Sequence, residues 1–198
     1  MNKQLYIVDY KKNLPISDMV EKIEKSVDKT TYYYNKNYIC GKTVQYEIFD
    51  GIWIVFHDLV LKDLELFPIE QTGFIRMNYC ISGRCEIEYR NHKVFFIGTG
   101  DFVAALLANE NNKHNFPLGN YSGISISTTG KKLDAFLKTI FVNTKITSAT
   151  LINKIREYDK YMTLSNNSYV QEIMKEIIVP NDMFWKERAV VKFAELIL

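Results

Sequence analysis

From Thr43 to Ser127 apolar and polar residues alternate with a period near two, the spacing of a half-buried strand. Beyond Ser127 the period lengthens to that of a helix. TVQYEIF (43–49), Asp50-Gly51 and IWIVFHDLVL (52–61) read as a hairpin, because Asp-Gly supplies the turn conformation between two β-rich runs. A looser segment (62–72) holding Pro68 leads to FIRMNYC (74–80), which passes through Ile81-Ser82-Gly83 into RCEIEY (84–89). VFFIGTGDFVAAL (94–106) follows, with Gly98 and Gly100 marking a tight turn before Asp101. A polar stretch (109–120) with Pro117 and Gly119 is long enough for a lid or rim, and NYSGISIS (120–127) closes the series. Strands of this length joined by short turns predict an antiparallel meander closing into a small barrel, with Gly83 at a turn between two of them.

Helical spacing then recurs at Leu133, Phe136, Leu137 and Ile140, at Leu151, Ile152 and Ile155, and at Val170, Ile173, Met174, Ile177 and Ile178. Val179-Pro180 stops the third helix and Asn181 caps a fourth, which runs through DMFWKERAVVKFAELIL (182–198). Its apolar residues spread around several sides, so it needs more than one partner to cover it. Phe184, Val191, Phe193 and Leu196 are therefore expected to meet a second copy in a homodimer, and the polypeptide is expected to continue past Leu198. Near the start, Pro15-Ile16-Ser17 predicts a short helix capped by Ser17, with Asp18 in its first turn and Met19, Val20, Ile23 and Val27 on one face. The segment 30–40 reads as extended. The chain divides into an arm and helix (1–42), a barrel (43–128) and a helical region (129–198), an α+β class.

Alternation sorts the strand residues. Phe74, Arg76, Asn78 and Cys80 share one face, and apolar Ile75, Met77 and Tyr79 the other, which should point into the barrel or against the helices. Trp53, Val55, His57 and Leu59 oppose Ile52, Ile54, Phe56 and Asp58, and parity does not say which set is inside.

Composition narrows the chemistry. A chain of 198 residues makes one domain with a helical appendage. The 13 Tyr and 12 Phe suit pocket walls and packed cores alike. A net charge of +2 is too weak to mark a nucleic-acid surface. Cys40, Cys80 and Cys85 lack metal-ligand spacing, and with no secretory segment ahead of them they are expected as reduced thiols in a cytoplasmic protein. A bridge between Cys80 and Cys85, across the expected turn, is the lesser option. No run reaches the length of a membrane span.

His57, His92 and His114 are the only histidines and form no H-x-H pair, so no metal centre is expected. No nucleophile elbow, phosphate-binding loop or dinucleotide fingerprint occurs, so no catalytic residue or cofactor is assigned and the chain is not expected to be an enzyme.

NYCISGRCE (78–86), GTGD (98–101) and FPLGNYSGISIS (116–127) resemble the N-terminal domain of bacterial AraC/XylS-type transcription regulators, in the branch common in Firmicutes. EIMKEIIVPNDMFWKERAVVKFAELIL (172–198) resembles the helices that close that domain. The resemblance runs over residues 43–198. It implies a cupin-like barrel (double-stranded β-helix) acting as a sensor, dimerising helices, and a separate domain with two helix-turn-helix units that these residues do not contain. DNA would be reached only through that domain, with no membrane involved. The effector, a small molecule or peptide, is unidentified. Aromatic and polar chemistry selects Trp53, His57, Arg76, Asn78, Tyr79 and Glu86 as its candidate contacts. Competing readings are a metal-dependent cupin-fold enzyme and a free-standing barrel that binds a ligand or protein.

Overall fold

A computed structural model describes residues 7–9, 14–15, 19–62, 67–68, 73–88, 94–107, 113–141, 143, 145–178, 180 and 183–198. Its strands are β1 (Ile7–Asp9), β2 (Leu14–Pro15), β3 (Val20–Lys25), β4 (Lys29–Lys36), β5 (Ile39–Phe49), β6 (Ile52–Leu61), β7 (Phe67–Pro68) and β8 (Phe74–Glu88). They continue as β9 (Val94–Gly98), β10 (Asp101–Leu106), β11 (Lys113–Asn115), β12 (Asn120–Thr129) and β13 (Tyr161–Ser165). The helices are α1 (Gly130–Ile140), α2 (Ser148–Glu157), α3 (Ser168–Ile177) and α4 (Trp185–Ile197). The class is α+β, and every strand pairing among the described residues is antiparallel.

The main sheet runs in the order β13-β10-β8-β12-β6-β5-β4-β3, with β9 and β11 both paired to β8, while β1, β2 and β7 form a small sheet of their own. The expected closed barrel is corrected here. The hydrogen-bonded path ends at β13 and β3 among the described residues, so the sheet curls without closing.

The curl originates in β8. Residues 74–80 and 84–88 belong to one continuous 15-residue strand rather than two strands about a turn. Its first half pairs with β10 (Phe102 with Tyr79, Ala105 with Arg76), and its second half with β9 and β11. Between the halves the register against β12 slips by one residue, a bulge that re-aims the strand. Gly83 sits at this corner with φ +93°, and a Cβ there would lie 2.3 Å from the backbone oxygen of Asn120. Only glycine fits. The Cys80 thiol, buried here, points at the bulge carbonyls of Ser82 and Gly83 (3.5 and 3.6 Å), and both Cys80 and Cys85 are free thiols. Burial pushes the Cys80 thiol up to about 11, with Asp101 adding to the shift, so it stays protonated at neutral pH.

From Val20 onward the expected N-terminal helix is also corrected. Residues 20–25 form β3 against β4, with Ile23 beside Tyr32 and Glu24 beside Thr31, while Val27 is wholly exposed. The run Thr30–Tyr34 is β-branched and aromatic, and pairing with it outweighs the weak helical periodicity of VEKIEK. Ser17, Asp18 and Asn181 lie outside the described residues. β13 had no turn signal or strong alternation to announce it; it forms only because β10 offers an edge beside it.

Helices α1 to α4 cover one face of the sheet. Thr129, Thr147 and Asn167 cap α1, α2 and α3, Thr147 through a reciprocal pair of bonds with Thr150. Ile54, Ile126, Met77 and Ala104 on the sheet meet Phe136, Ile173, Trp185 and Phe193 from the helices in one apolar core. Trp185 packs on Tyr46 and Phe56 and donates its indole N–H to the Ile177 carbonyl at 2.8 Å, tying α4 to the end of α3. Trp185→Phe should lower stability by about 1–3 kcal/mol, since the Ile177 carbonyl would stay buried without a donor. Urea unfolding checks this, and an unchanged midpoint would remove the tie.

Candidate functional site

The opposite, concave face of the sheet carries a different set of residues in rows across the strands. One row reads Val55, Ser125, Asn78 and Val103 along β6, β12, β8 and β10. The next reads Trp53, Ser127, Arg76, Ala105 and, on β13, Tyr161. A third brings His57, Gly123 and Cys80 together. Because β8 bends over at Gly83, its second half and β9 place Cys85, Ile87 and Ile97 above these rows. The space between is a cavity of about 120 Å³, walled mostly by apolar side chains and lined also by His114, Phe116 and Tyr121.

Its polar side chains are linked. The Ser125 hydroxyl donates to Asn78 Oδ1 at 2.8 Å and lies 3.0 Å from His57 Nε2. A serine has one proton to give, so His57 donates from Nε2 to Ser125. Its Nδ1 is then an acceptor for Thr43 Oγ1 at 3.5 Å. The chain Thr43–His57–Ser125–Asn78 thus crosses four strands and turns the Asn78 oxygen away from the cavity's needs, leaving the amide nitrogen as its donor end. Beside it Arg76 reaches Ser127 Oγ through Nε at 3.4 Å and makes further contacts. Among the described residues no Asp or Glu lines the cavity.

Electrostatics follow from this placement. Burial, and secondarily the Arg76 charge, depress His57 to about 4 and His114 to about 3. Both are neutral at physiological pH, and His114 Nε2 is buried without a hydrogen-bond partner. A group held below its unfolded value of about 6.5 binds fewer protons in the native state than in the unfolded chain. Its stabilising contribution is present above that value and declines as pH falls toward the folded value, by at most about 1.4 kcal/mol per pH unit for each histidine. His114→Phe should therefore flatten the loss of stability between about pH 6.5 and about pH 3, measured as urea midpoints against pH. Parallel profiles for the two proteins would show that His114 is not held neutral.

Three of the residues selected by sequence, His57, Arg76 and Asn78, meet at this cavity. Trp53 stands at the end of the Arg76 row, half-buried and outside the lining. Tyr79 points to the other face, in the row of Phe56, Ile124 and Phe102, and packs toward the helices. Glu86 also falls outside the lining and pairs with Arg84 at 3.0 Å, while its neighbours Cys85 and Ile87 face in. Sequence reasoning missed Ser125, Ser127, His114 and Tyr161. The serines were legible, since they alternate with Ile124 and Ile126; His114 and Tyr161 had no local signal.

The surface residues also separate. Phe184 and Val191 are 63% and 61% exposed, Leu196 is partly buried against the core, and Phe193 is fully buried beside Phe136. Phe193 is thus a core residue and offers no surface to a second copy. Among the described residues no three His, Cys, Asp or Glu side chains gather as a metal site, and no helix is long and apolar enough to cross a membrane. His92 lies outside the described residues.

No family model matches the sequence, and no curated protein matches it either. Solved structures do. Wild-type ToxT from Vibrio cholerae with bound unsaturated fatty acid superposes with a TM-score of 0.50 at 11% identity, over 76% of this chain and 54% of ToxT. An apo ToxT variant from the same species gives 0.50 at 10% identity, over 74% and 54%. The AraC-like transcriptional activator CuxR matches over 90% of this chain and 62% of its own at 13% identity, with a TM-score of only 0.36. The likeness to ToxT is one of fold, and this chain spans about half of ToxT's length.

Proposed function

We propose that this chain is the effector-binding and dimerisation domain of an AraC-type transcription regulator. The observation that carries the reading is the cavity beneath the curled sheet, where half-buried Arg76, Asn78 and two neutral histidines stand among apolar walls in a fold shared with ToxT. Such a cluster is costly to bury for packing alone, and a binding site gives it a purpose. ToxT itself has been solved with an unsaturated fatty acid bound. The divisions at residues 42 and 128 would then separate an arm, a sensing sheet and a helical region. Ligand binding changes regulation only if it favours one arrangement of two copies over another. The exposed Phe184 and Val191 of α4 are the residues proposed to face the second copy.

DNA would be bound by a part of the regulator lying beyond Leu198. The test is to read the coding sequence past that codon and to run gel shifts of the full product on its own upstream region. A continuing frame encoding a basic helical domain, with a sequence-specific shift, is expected. A stop codon at that point, or no shift, would overturn the regulator and leave a free-standing ligand-binding protein.

A further inference from the structure

We propose that the outer edge of β3 docks β3 of a second copy, the two strands running antiparallel about a two-fold axis through Ile23 and joining the two sheets into one. This surface is separate from that of α4, and the inference does not rest on the effector reading.

β3 ends the hydrogen-bonded path of the main sheet among the described residues, and Glu21 to Lys25 are all exposed. An edge strand offers a row of unpaired backbone groups to any strand that fits it. The hairpin decides which groups those are. Ser26 donates its N–H to the Lys29 carbonyl at 2.8 Å, so Glu24 with Thr31 and Lys22 with Tyr33 are the hydrogen-bonded pairs of the ladder. Ile23 and Lys25 therefore turn N–H and C=O away from β4.

Charges on an edge commonly keep other strands away. In Glu21-Lys22-Ile23-Glu24-Lys25 the order of signs does the reverse. An axis through Ile23 sets Lys22 opposite Glu24 of the second copy, and Glu21 opposite its Lys25. An axis through Glu21, Lys22, Glu24 or Lys25 would set that charge against itself. An axis between two residues would pair an outward-facing backbone with an inward-facing one. Ile23 is thus the centre at which the charges complement each other, and its outward N–H and C=O are the groups that two copies would exchange there. Lys22 already bonds Glu24 at 2.6 Å, so pairing gathers four charges of alternating sign on one face. On the other face the two Ile23 side chains meet, each 43% exposed in the single chain and placed beside Tyr32. The bulge between Val20 and Lys22 keeps the regular seam short. Such a seam falls below roughly 1,200 Å², the range of weak and reversible association.

The experiment is sedimentation equilibrium of the 198-residue chain from tens to several hundred micromolar. A mass rising toward twice that of the monomer is expected. Ile23→Pro should hold the chain at monomer mass, because proline removes an N–H that β4 does not use. Should that variant not fold, Lys22→Glu should weaken association about tenfold by setting like charges opposite, and Lys22→Glu with Glu24→Lys should restore it. In a Cys40→Ser background, Ile23→Cys should oxidise to a disulfide-linked dimer and Lys25→Cys should not, since only the residue on the axis lies about 5.5 Å from its own copy. A monomer at the highest concentration would overturn the proposal and leave the edge to a strand of another protein. Equal cross-linking at positions 23 and 25 would overturn the register. Association kept by Ile23→Pro but lost with Phe184→Ala and Val191→Asp would overturn it in favour of α4. None of these results bears on the effector reading, which the coding-sequence test decides.

Discussion

Gly83→Ala is expected to cost the fold about 2–4 kcal/mol, far more than the same change at Gly73. Both glycines have positive φ, +93° and +87°, so both pay for the left-handed conformation when a Cβ is added. They differ in what the Cβ meets. At Gly73 nothing lies within 4 Å, and the cost should be about 1 kcal/mol. At Gly83 the new atom would stand 2.3 Å from the Asn120 oxygen and 3.1 Å from Tyr121 Cα. These are backbone atoms of a paired strand, so relief requires β8 and β12 to part at the bulge. That would also lift Cys85 and Ile87 away from the rows beneath them. Urea midpoints of the two variants decide the matter, and equal losses would mean that the corner of β8 is softer than its geometry implies.

Phe193→Ala should be the most damaging change in the helical half, at about 3–5 kcal/mol. Its ring is fully buried, 5.1 Å from that of Phe136, where α4 meets the sheet-side core. Phe184→Ala, nine residues earlier on a side chain 63% exposed, should change stability by no more than about 0.5 kcal/mol. If the proposed dimer exists, Phe184→Ala and Val191→Asp should instead shift the sedimentation profile toward monomer. A wild-type chain that sediments as a monomer at tens of micromolar would remove that role from α4. Comparable destabilisation by Phe184→Ala and Phe193→Ala would contradict the burial pattern.

Local chemistry had made much of the fold readable. Asp50-Gly51 joins β5 to β6 where the β-rich runs required a turn, and Gly98–Asp101 turns the chain between β9 and β10. Leu133, Phe136 and Leu137 fall on the buried face of α1, as Ile173, Met174 and Ile177 do on α3. Alternation separated Arg76 and Asn78 from Ile75 and Met77, and the structure turns the first pair to the cavity and the second to the helices. These signals survive because a strand or helix period reports only on the residue's own element.

Other features depended on partners distant in the chain. VEKIEK carries a helical stripe as acceptable as its strand pattern, and the neighbouring tyrosine strand chose between them. Gly83 looks the same at a hairpin and at a bulge; what distinguishes them is whether β12 runs alongside both flanks, some forty residues later in sequence. Phe193 and Val191 are two positions on one apolar helix, and only the docking angle of α4 made one core and the other surface.

The sequence by itself determined an α+β chain, strands first and helices second, with one polar and one apolar face on its central strands, because periodicity and turn residues act over a few positions. Only the tertiary structure decided that the sheet curls without closing, that the polar face is the concave one, and that His57 and His114 meet Arg76 across a cavity. Those outcomes depend on which strand edges pair at long range and on the direction in which β8 bends. A residue's own neighbours in sequence carry no record of either.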